Sequence, residues 1–262
     1  MEYSYQFTHA IVRKPAKSIN NGLRAVDIGK PNYDQMMLDH SDYVDALISA
    51  GAQIVELSPL EKYPDAQFVE DTALCLPEGV ILMRPGAPSR LGEVEEIAPK
   101  LRDLFKKVYK IDEPGHVEGG DILVTGKEIL IGRSARTDKS GVSQLSEIIT
   151  SMGYALREVF TPPEILHFKT DCSLLAPDEI LTTKRLQASG CFDGYKVINV
   201  ADGEEAAANA IRFNDYVIMP AGFPKTKVIL EDHGYSVKEI NNSECAKLDG
   251  GMSCLSLRAN LL

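Results

Sequence analysis

No stretch of this sequence is apolar for long enough to cross a bilayer as a helix, so a helical membrane protein is set aside. The opening MEYSYQFTHAIVRKP lacks the basic, apolar and small-residue zones of a secretory signal, and the expected location is cytoplasmic. Cysteine is scarce and poorly arranged for its usual structural uses. Cys75, Cys172, Cys191, Cys245 and Cys254 are odd in number, scattered, and contain no CxxC pair, which argues against a disulfide framework and a structural zinc cluster. Positive charge is also short, with 28 Lys and Arg against 38 Asp and Glu and a net charge of −10. Nucleic-acid binders concentrate Lys and Arg, so no nucleic-acid partner is expected. An acidic field suits a cationic small molecule, although many soluble enzymes are simply acidic.

What the chain does have is a recurring unit. The 262 residues are 44% hydrophobic and 25% charged, an ordinary globular composition, read as a single domain over 1–262. Four stretches are alike: EGVILM (78–83), KEILIG (127–132), DEILTT (178–183) and DYVIMP (215–220). Each follows a turn, and each turn follows another strand-like run: FVEDTALCL, VEGGDILVT, FKTDCSLLA and ANAIRFN. The period is about fifty residues. Between hairpins lies a helix and one more strand. YDQMMLDHSDYVDALISAG places Met36, Met37, Tyr43, Leu47 and Ile48 near one helical face and leads into AQIVEL. Similar pairs follow at 93–111, 142–160 and 225–240, and 184–200 is the weakest copy. THAIVRKP near the start and SCLSLRANL near the end complete a fifth hairpin. The expectation is about five ββαβ units closing radially, with an open α/β sheet as the competing architecture.

Radial closure would bring the loops ahead of each hairpin to one axis. Those loops carry Asp65, Glu70 and Asp71; then His116, Glu118 and Asp121; then His167 and Asp171; and finally Asp249 and Cys254. Glu70 and Asp71 sit inside a buried-strand pattern, where two adjacent carboxylates call for a cation. The paired glycines of VEGGDIL mark a bulge or a close backbone approach. His9, His40 and His233 are read as satisfied or surface histidines, and Cys75, Cys172, Cys191 and Cys245 as small core residues. His167 lies in an otherwise apolar run and Cys254 follows GGMS, so the two can form a nucleophile–base pair across the fold.

THAIVRKP, DAQFVEDTAL, RPGAPSR, EGGDIL, GRSARTD, LHFKTDCS and LDGGMSC, in that order and nearly end to end, resemble the dimethylarginine dimethylaminohydrolase family of the guanidino-group-modifying, or pentein, superfamily. The resemblance implies a five-fold pseudosymmetric α/β propeller and hydrolysis of N-omega-methylated arginines to citrulline and methylamines. It gives Cys254 as nucleophile, His167 as general acid/base and Glu118 as the associated carboxylate. Glu70 and Asp71 would grip the guanidinium, Asp65 the amino-acid end, and Arg90 and Arg136 the α-carboxylate. Leu23 and Leu248 would offer backbone contacts, within reach of a lid near 18–30, and Arg84 would be structural. No cofactor or metal is implied. The partner is a cationic guanidino amino acid, and a homodimer is left open.

Other readings separate on particular residues. Arginine deiminases share this chemistry but usually carry an extra helical insertion. In agmatine deiminases Arg90 and Arg136 would have no carboxylate to bind, and amidinotransferases are longer. A non-catalytic binder of cationic amino acids would dispense with Cys254 or His167. A zinc site on those two residues lacks a third ligand at a suggestive spacing.

Overall fold

The computed structural model describes residues 4–261, so the outermost residues of the 1–262 domain reading lie outside it. Its elements, in chain order, are β1 (His9–Arg13), α1 (Tyr33–Ser49), β2 (Gln53–Leu57), β3 (Ala73–Leu76), β4 (Gly79–Leu82), α2 (Leu91–Leu104) and β5 (Val108–Lys110). Then come β6 (Ile122–Val124), β7 (Ile129–Arg133), α3 (Lys139–Ser151), β8 (Leu156–Phe160), β9 (Cys172–Ala176), β10 (Glu179–Thr182), α4 (Lys184–Gln187) and β11 (Lys196–Asn199). The last are β12 (Ile211–Phe213), β13 (Tyr216–Pro220), α5 (Pro224–Asp232), β14 (Ser236–Ile240), α6 (Ser243–Ala246) and β15 (Leu257–Ala259).

The described residues form five three-stranded sheets rather than one open sheet: β15-β1-β2, β3-β4-β5, β6-β7-β8, β9-β10-β11 and β12-β13-β14. In each, an antiparallel pair is extended by a parallel third strand that arrives after a helix. His9 opposite Ala259 closes the first blade with the end of the chain. Asn214 turns the β12–β13 hairpin at φ 54, a conformation its short polar side chain tolerates.

Helix packing shows why the blades form a ring. The apolar stripe of α2 (Val94, Ile97, Leu101) is buried against Val80 and Leu82 of its own blade and Ile11 and Leu257 of the preceding one. That of α3 (Val142, Leu145, Ile149) bridges Ile129 and Ile131 to Ile81. Met36, Tyr43 and Leu47 of α1 join the first blade to Ile211, Phe213 and Ile218 of the fifth. Each helix therefore plugs the gap behind its own sheet, and the gain from burying each large side chain, about 2 kcal/mol, goes to ring closure. Two details differ from the sequence reading. Ile48 is 52% exposed, because the buried stripe of α1 runs through Met36, His40, Tyr43 and Leu47, and Ile48 lies one step around the helix. The weak fourth unit has only the four-residue α4, its place filled by Leu186 against Leu174 and Ile180.

A short 3-10 turn stands at most two residues before the entering strand of every blade: Val69–Thr72, Gly119–Asp121, Phe168–Thr170, Glu205–Ala208 and Ser253–Leu255. Four of these turns carry or flank the candidate polar residues, and Glu205–Ala208 carries none. Their close approach explains the paired glycines. A Cβ on Gly119 would stand 2.0 Å from the Glu70 carbonyl oxygen, and one on Gly120 would stand 2.9 Å from the His167 ring. The EGGD segment is thus a close backbone approach.

Candidate active site

Beside these turns lies a cavity of about 150 Å³ whose walls include Leu23, Asp65, Asp71, Arg90, Arg136, His167, Leu248 and Cys254. With Asp249, which also lines it, nine of the residues singled out in the sequence thus meet at one place. Glu118 stands directly behind His167, wholly buried, with its Oε2 2.6 Å from His167 Nε2. Its other oxygen accepts the backbone N–H groups of Gly86 (3.0 Å) and Ala87 (3.2 Å) and an N–H of Arg136 (3.3 Å).

Glu70 is the exception. Its Oε1 accepts from Lys169 and from Arg258, each at 2.5 Å, and its Oε2 from the Ser253 hydroxyl at 2.8 Å. It faces a second, smaller cavity of about 100 Å³ on the other side of the turns, which also exposes Cys75 and Arg258. The cation that Glu70 calls for is therefore supplied by the protein. Neighbouring residues in a 3-10 turn point in different directions, which the linear pattern does not distinguish.

Arg90 is largely engaged within the protein. It lines the cavity, yet Nε donates to both Glu93 oxygens (3.1 Å each), one terminal nitrogen donates to Asp71 Oδ2 (2.5 Å), and the other donates to Glu93 (2.8 Å) and the Phe68 carbonyl (2.8 Å). Little of this guanidinium is left for an external carboxylate. Arg136 is less committed, with its Glu118 contact and a side chain 22% exposed. Asp65 accepts the Leu23 N–H through both oxygens (3.0 and 3.2 Å), and Asp249 accepts the Ala25 N–H at 2.5 Å, so the lid segment lies against the cavity mouth. Arg24, which also lines the cavity, donates to the carbonyls of Asn20 (2.7 Å) and Gly29 (3.2 Å) and holds the two limbs of that segment together.

Several further supports lie outside the candidate catalytic and binding residues. Asp121, fully buried, accepts from the Phe168 N–H (2.9 Å) and from the hydroxyls of Ser134 and Thr137 (2.6 Å each), fixing the residue after His167. Asn209 Oδ1 accepts from the Ser253 N–H at 2.9 Å and so holds the turn carrying Cys254. A Cβ on Gly251 would stand 2.2 Å from that amide, which is why glycine is needed there. Asp121 was visible as part of EGGD, and Glu93 as the residue three after Arg90. Arg258 and Asn209 gave no local signal.

The electrostatics are polarised. Burial works against charge on His167, but Asp71, the Glu118 hydrogen bond and Asp121 outweigh it and raise its pKa to about 9. Burial would raise Glu118, but the hydrogen bond and charge of His167, then Arg90 and Arg136, reverse this and hold it low. Burial, with Glu70 and Asp71 nearby, pushes the Cys254 thiol up to about 12, while the Gly251 N–H and Lys169 act in the opposite sense. The resting site is a neutral thiol, an imidazolium and an array of carboxylates. Asp71, Glu118 and His167 bring ligand-type atoms within 4.8 Å of one another, but both carboxylates already accept from protein donors. Among the described residues no helix is long and apolar enough to cross a membrane, and all five cysteines are free.

Five ββαβ blades around a thiol, a histidine and buried carboxylates define a pentein-type α/β propeller. The model of the arginine deiminase family matches residues 34–214. The chain is 39% identical to N(G),N(G)-dimethylarginine dimethylaminohydrolase of Pseudomonas aeruginosa over 96% of its own length and 99% of that protein's. It superposes on the structure of a cysteine-to-serine variant of the Pseudomonas aeruginosa enzyme in complex with citrulline with a TM-score of 0.94, at 38% identity, covering 97% of this chain and 100% of that one. The cyanobacterial arginine dihydrolase ArgZ shares the fold in its N-terminal domain, at 19% identity and a TM-score of 0.85, over 95% of this chain and 96% of that one. The chain belongs to the dimethylarginine dimethylaminohydrolase family.

Proposed function

We propose that this protein hydrolyses N-omega-methylated arginines to citrulline and a methylamine through a covalent intermediate on Cys254. The observation that carries the reading is the meeting of Cys254, the Glu118-paired His167 and the Asp71 carboxylate around one cavity. The family relationship supports it.

The cationic guanidino group enters beside Asp71, which fixes its plane and presents its carbon to the Cys254 sulfur. Its charge stabilises the thiolate that burial and carboxylates otherwise disfavour, so the thiol proton leaves to solvent as substrate binds. Sulfur attacks the guanidino carbon, forming a C–S bond and a tetrahedral adduct. The His167 imidazolium protonates the methylated nitrogen, the C–N bond breaks and the methylamine departs. The neutral imidazole then takes a proton from water as its oxygen adds to the thiouronium carbon, and His167 is an imidazolium again; the C–S bond breaks to return the thiolate while the O–H proton of the adduct passes to solvent, which releases neutral citrulline. Glu118 stabilises and orients the imidazolium throughout. At the other end of the substrate, Arg136 receives the α-carboxylate, with Arg90 contributing the remaining N–H of its Asp71-facing nitrogen. Asp65 and the backbone of Leu23 and Leu248 receive the amino-acid end. Glu70 acts beneath the site, holding Lys169 and Ser253 next to the nucleophile. The free cysteines support a reducing, cytoplasmic location.

The test is to incubate the purified protein with asymmetric dimethylarginine and, separately, arginine, and to follow citrulline, dimethylamine and ammonia. Citrulline with dimethylamine, abolished by Cys254→Ser, is the expected result. Citrulline with ammonia from arginine would reassign the protein as a deiminase, and no turnover of either would overturn the reading.

A further inference from the structure

We propose that Glu93 is a positioning residue for substrate binding: it fixes the Arg90 guanidinium and, through it, the Asp71 carboxylate that meets the substrate's guanidino group. This rests on the activity proposed above.

Glu93 lies in the first turn of α2 and is 2% exposed. Its two oxygens take one edge of Arg90, both within 3.1 Å of Nε and one of them 2.8 Å from a terminal nitrogen. That terminal nitrogen also donates to the Phe68 carbonyl. A guanidinium is a rigid planar fork, so fixing one edge aims the other. The aimed edge donates to Asp71 Oδ2 at 2.5 Å. The other Asp71 oxygen accepts from Gly120 N at 2.9 Å, and a single donor on each oxygen sets the plane of the carboxylate. The remaining lone pairs are available to the cavity that Asp71 lines.

The charges alternate along this row. Arg13 lies within electrostatic reach of Glu93, which holds Arg90, which holds Asp71, which faces His167. Without Glu93, Arg90 would turn both edges toward Asp71 and neutralise the group meant for a cationic ligand. A simple surface pair three residues apart at a helix start has no second edge on a cavity carboxylate; this one does.

The test compares Glu93→Gln and Glu93→Asp with the parent protein. Glu93→Gln should raise KM for asymmetric dimethylarginine about tenfold while kcat changes less than about threefold, and Glu93→Asp should recover part of the loss. On a Cys254→Ser background, calorimetry should show affinity for cationic asymmetric dimethylarginine falling more than affinity for neutral citrulline. In the absence of ligand, the NMR titration midpoint of His167 should fall, because Asp71 is its strongest charge partner. A lower melting temperature with KM, ligand preference and the His167 midpoint all unchanged would reduce Glu93 to a structural residue and overturn the proposal. If the parent protein turns over no methylated arginine, the activity reading fails, and the ligand-free His167 titration still decides the role of Glu93.

Discussion

His167 and Glu118 meet at 2.6 Å through Nε2 and Oε2, and Glu118 has no exposure to solvent. With Asp71 as the largest raising influence, and the Glu118 hydrogen bond next, the imidazole is held as an imidazolium, the form that can protonate a departing amine. The linkage to stability has two signs. His167 is raised from 6.5 to about 9, so its contribution is complete below 6.5 and is lost as pH rises through 9. Glu118 is lowered from 4.5, so its contribution is present above 4.5 and is lost as pH falls well below it. The pair stabilises most between those limits. Glu118→Gln should move the His167 midpoint from about 9 toward 6.5, read by NMR. It should also lower kcat about a hundredfold at neutral pH. An unmoved midpoint would mean that Asp71 and Asp121 alone hold the proton.

The resting thiol is the second consequence. Cys254 is pushed up to about 12 by burial and by Glu70 and Asp71, so ligand-free protein should react slowly with iodoacetamide at neutral pH. The rate at Cys254, followed by peptide mass spectrometry to separate it from Cys75, should rise with pH through 10 without a plateau. A plateau near 8 would show that the thiolate forms before substrate arrives, and deprotonation would then be intrinsic to the site.

The blade architecture was legible because each unit repeats hairpin, helix and strand, and because four of the five loops before the entering strands carry chemistry-bearing residues at matching places. His167 and Cys254 were readable for that reason. The direction in which adjacent side chains of a turn point was not readable, so Glu70 and Asp71 looked equivalent although they face opposite cavities. The commitment of Arg90 was hidden similarly, because its partners come from Asp71, Glu93 and the Phe68 carbonyl on different elements. Asp249 was seen beside Cys254, but its bond to Ala25, 224 positions away, has no sequence signature.

The carboxylate that faces the second cavity gives the third prediction. Glu70 bridges Lys169 and Arg258 and holds the Ser253 hydroxyl, with 4% of its side chain exposed. Glu70→Gln would leave two buried cations poorly paired. Stability should fall by about 3 kcal/mol, measured by urea unfolding. If Glu70 does not touch the substrate, KM at a temperature well below the transition should change less than about twofold. A rise in KM comparable to that of Asp71→Asn would return Glu70 to the binding surface.

Asp249 gives the last. It is held at φ 57, a left-handed conformation that Asn shares more readily than Ala. Its carboxylate accepts the Ala25 N–H at 2.5 Å and so ties the lid segment to the loop that leads into Cys254. Asp249→Asn keeps the backbone and replaces a charge-assisted bond with a neutral one, which is about half as strong. The lid should open more often but remain anchored by Asp65 on Leu23. Amide exchange at Ala25 should accelerate several-fold while that at Leu23 changes less, and KM should rise about threefold with kcat nearly constant. If product release limits turnover, kcat should instead increase, because the same bond that holds the lid over the substrate also holds it over citrulline. Unchanged exchange at Ala25 would show that the lid is held by its own Arg24 bridge between Asn20 and Gly29, and the latch would then be internal to the segment.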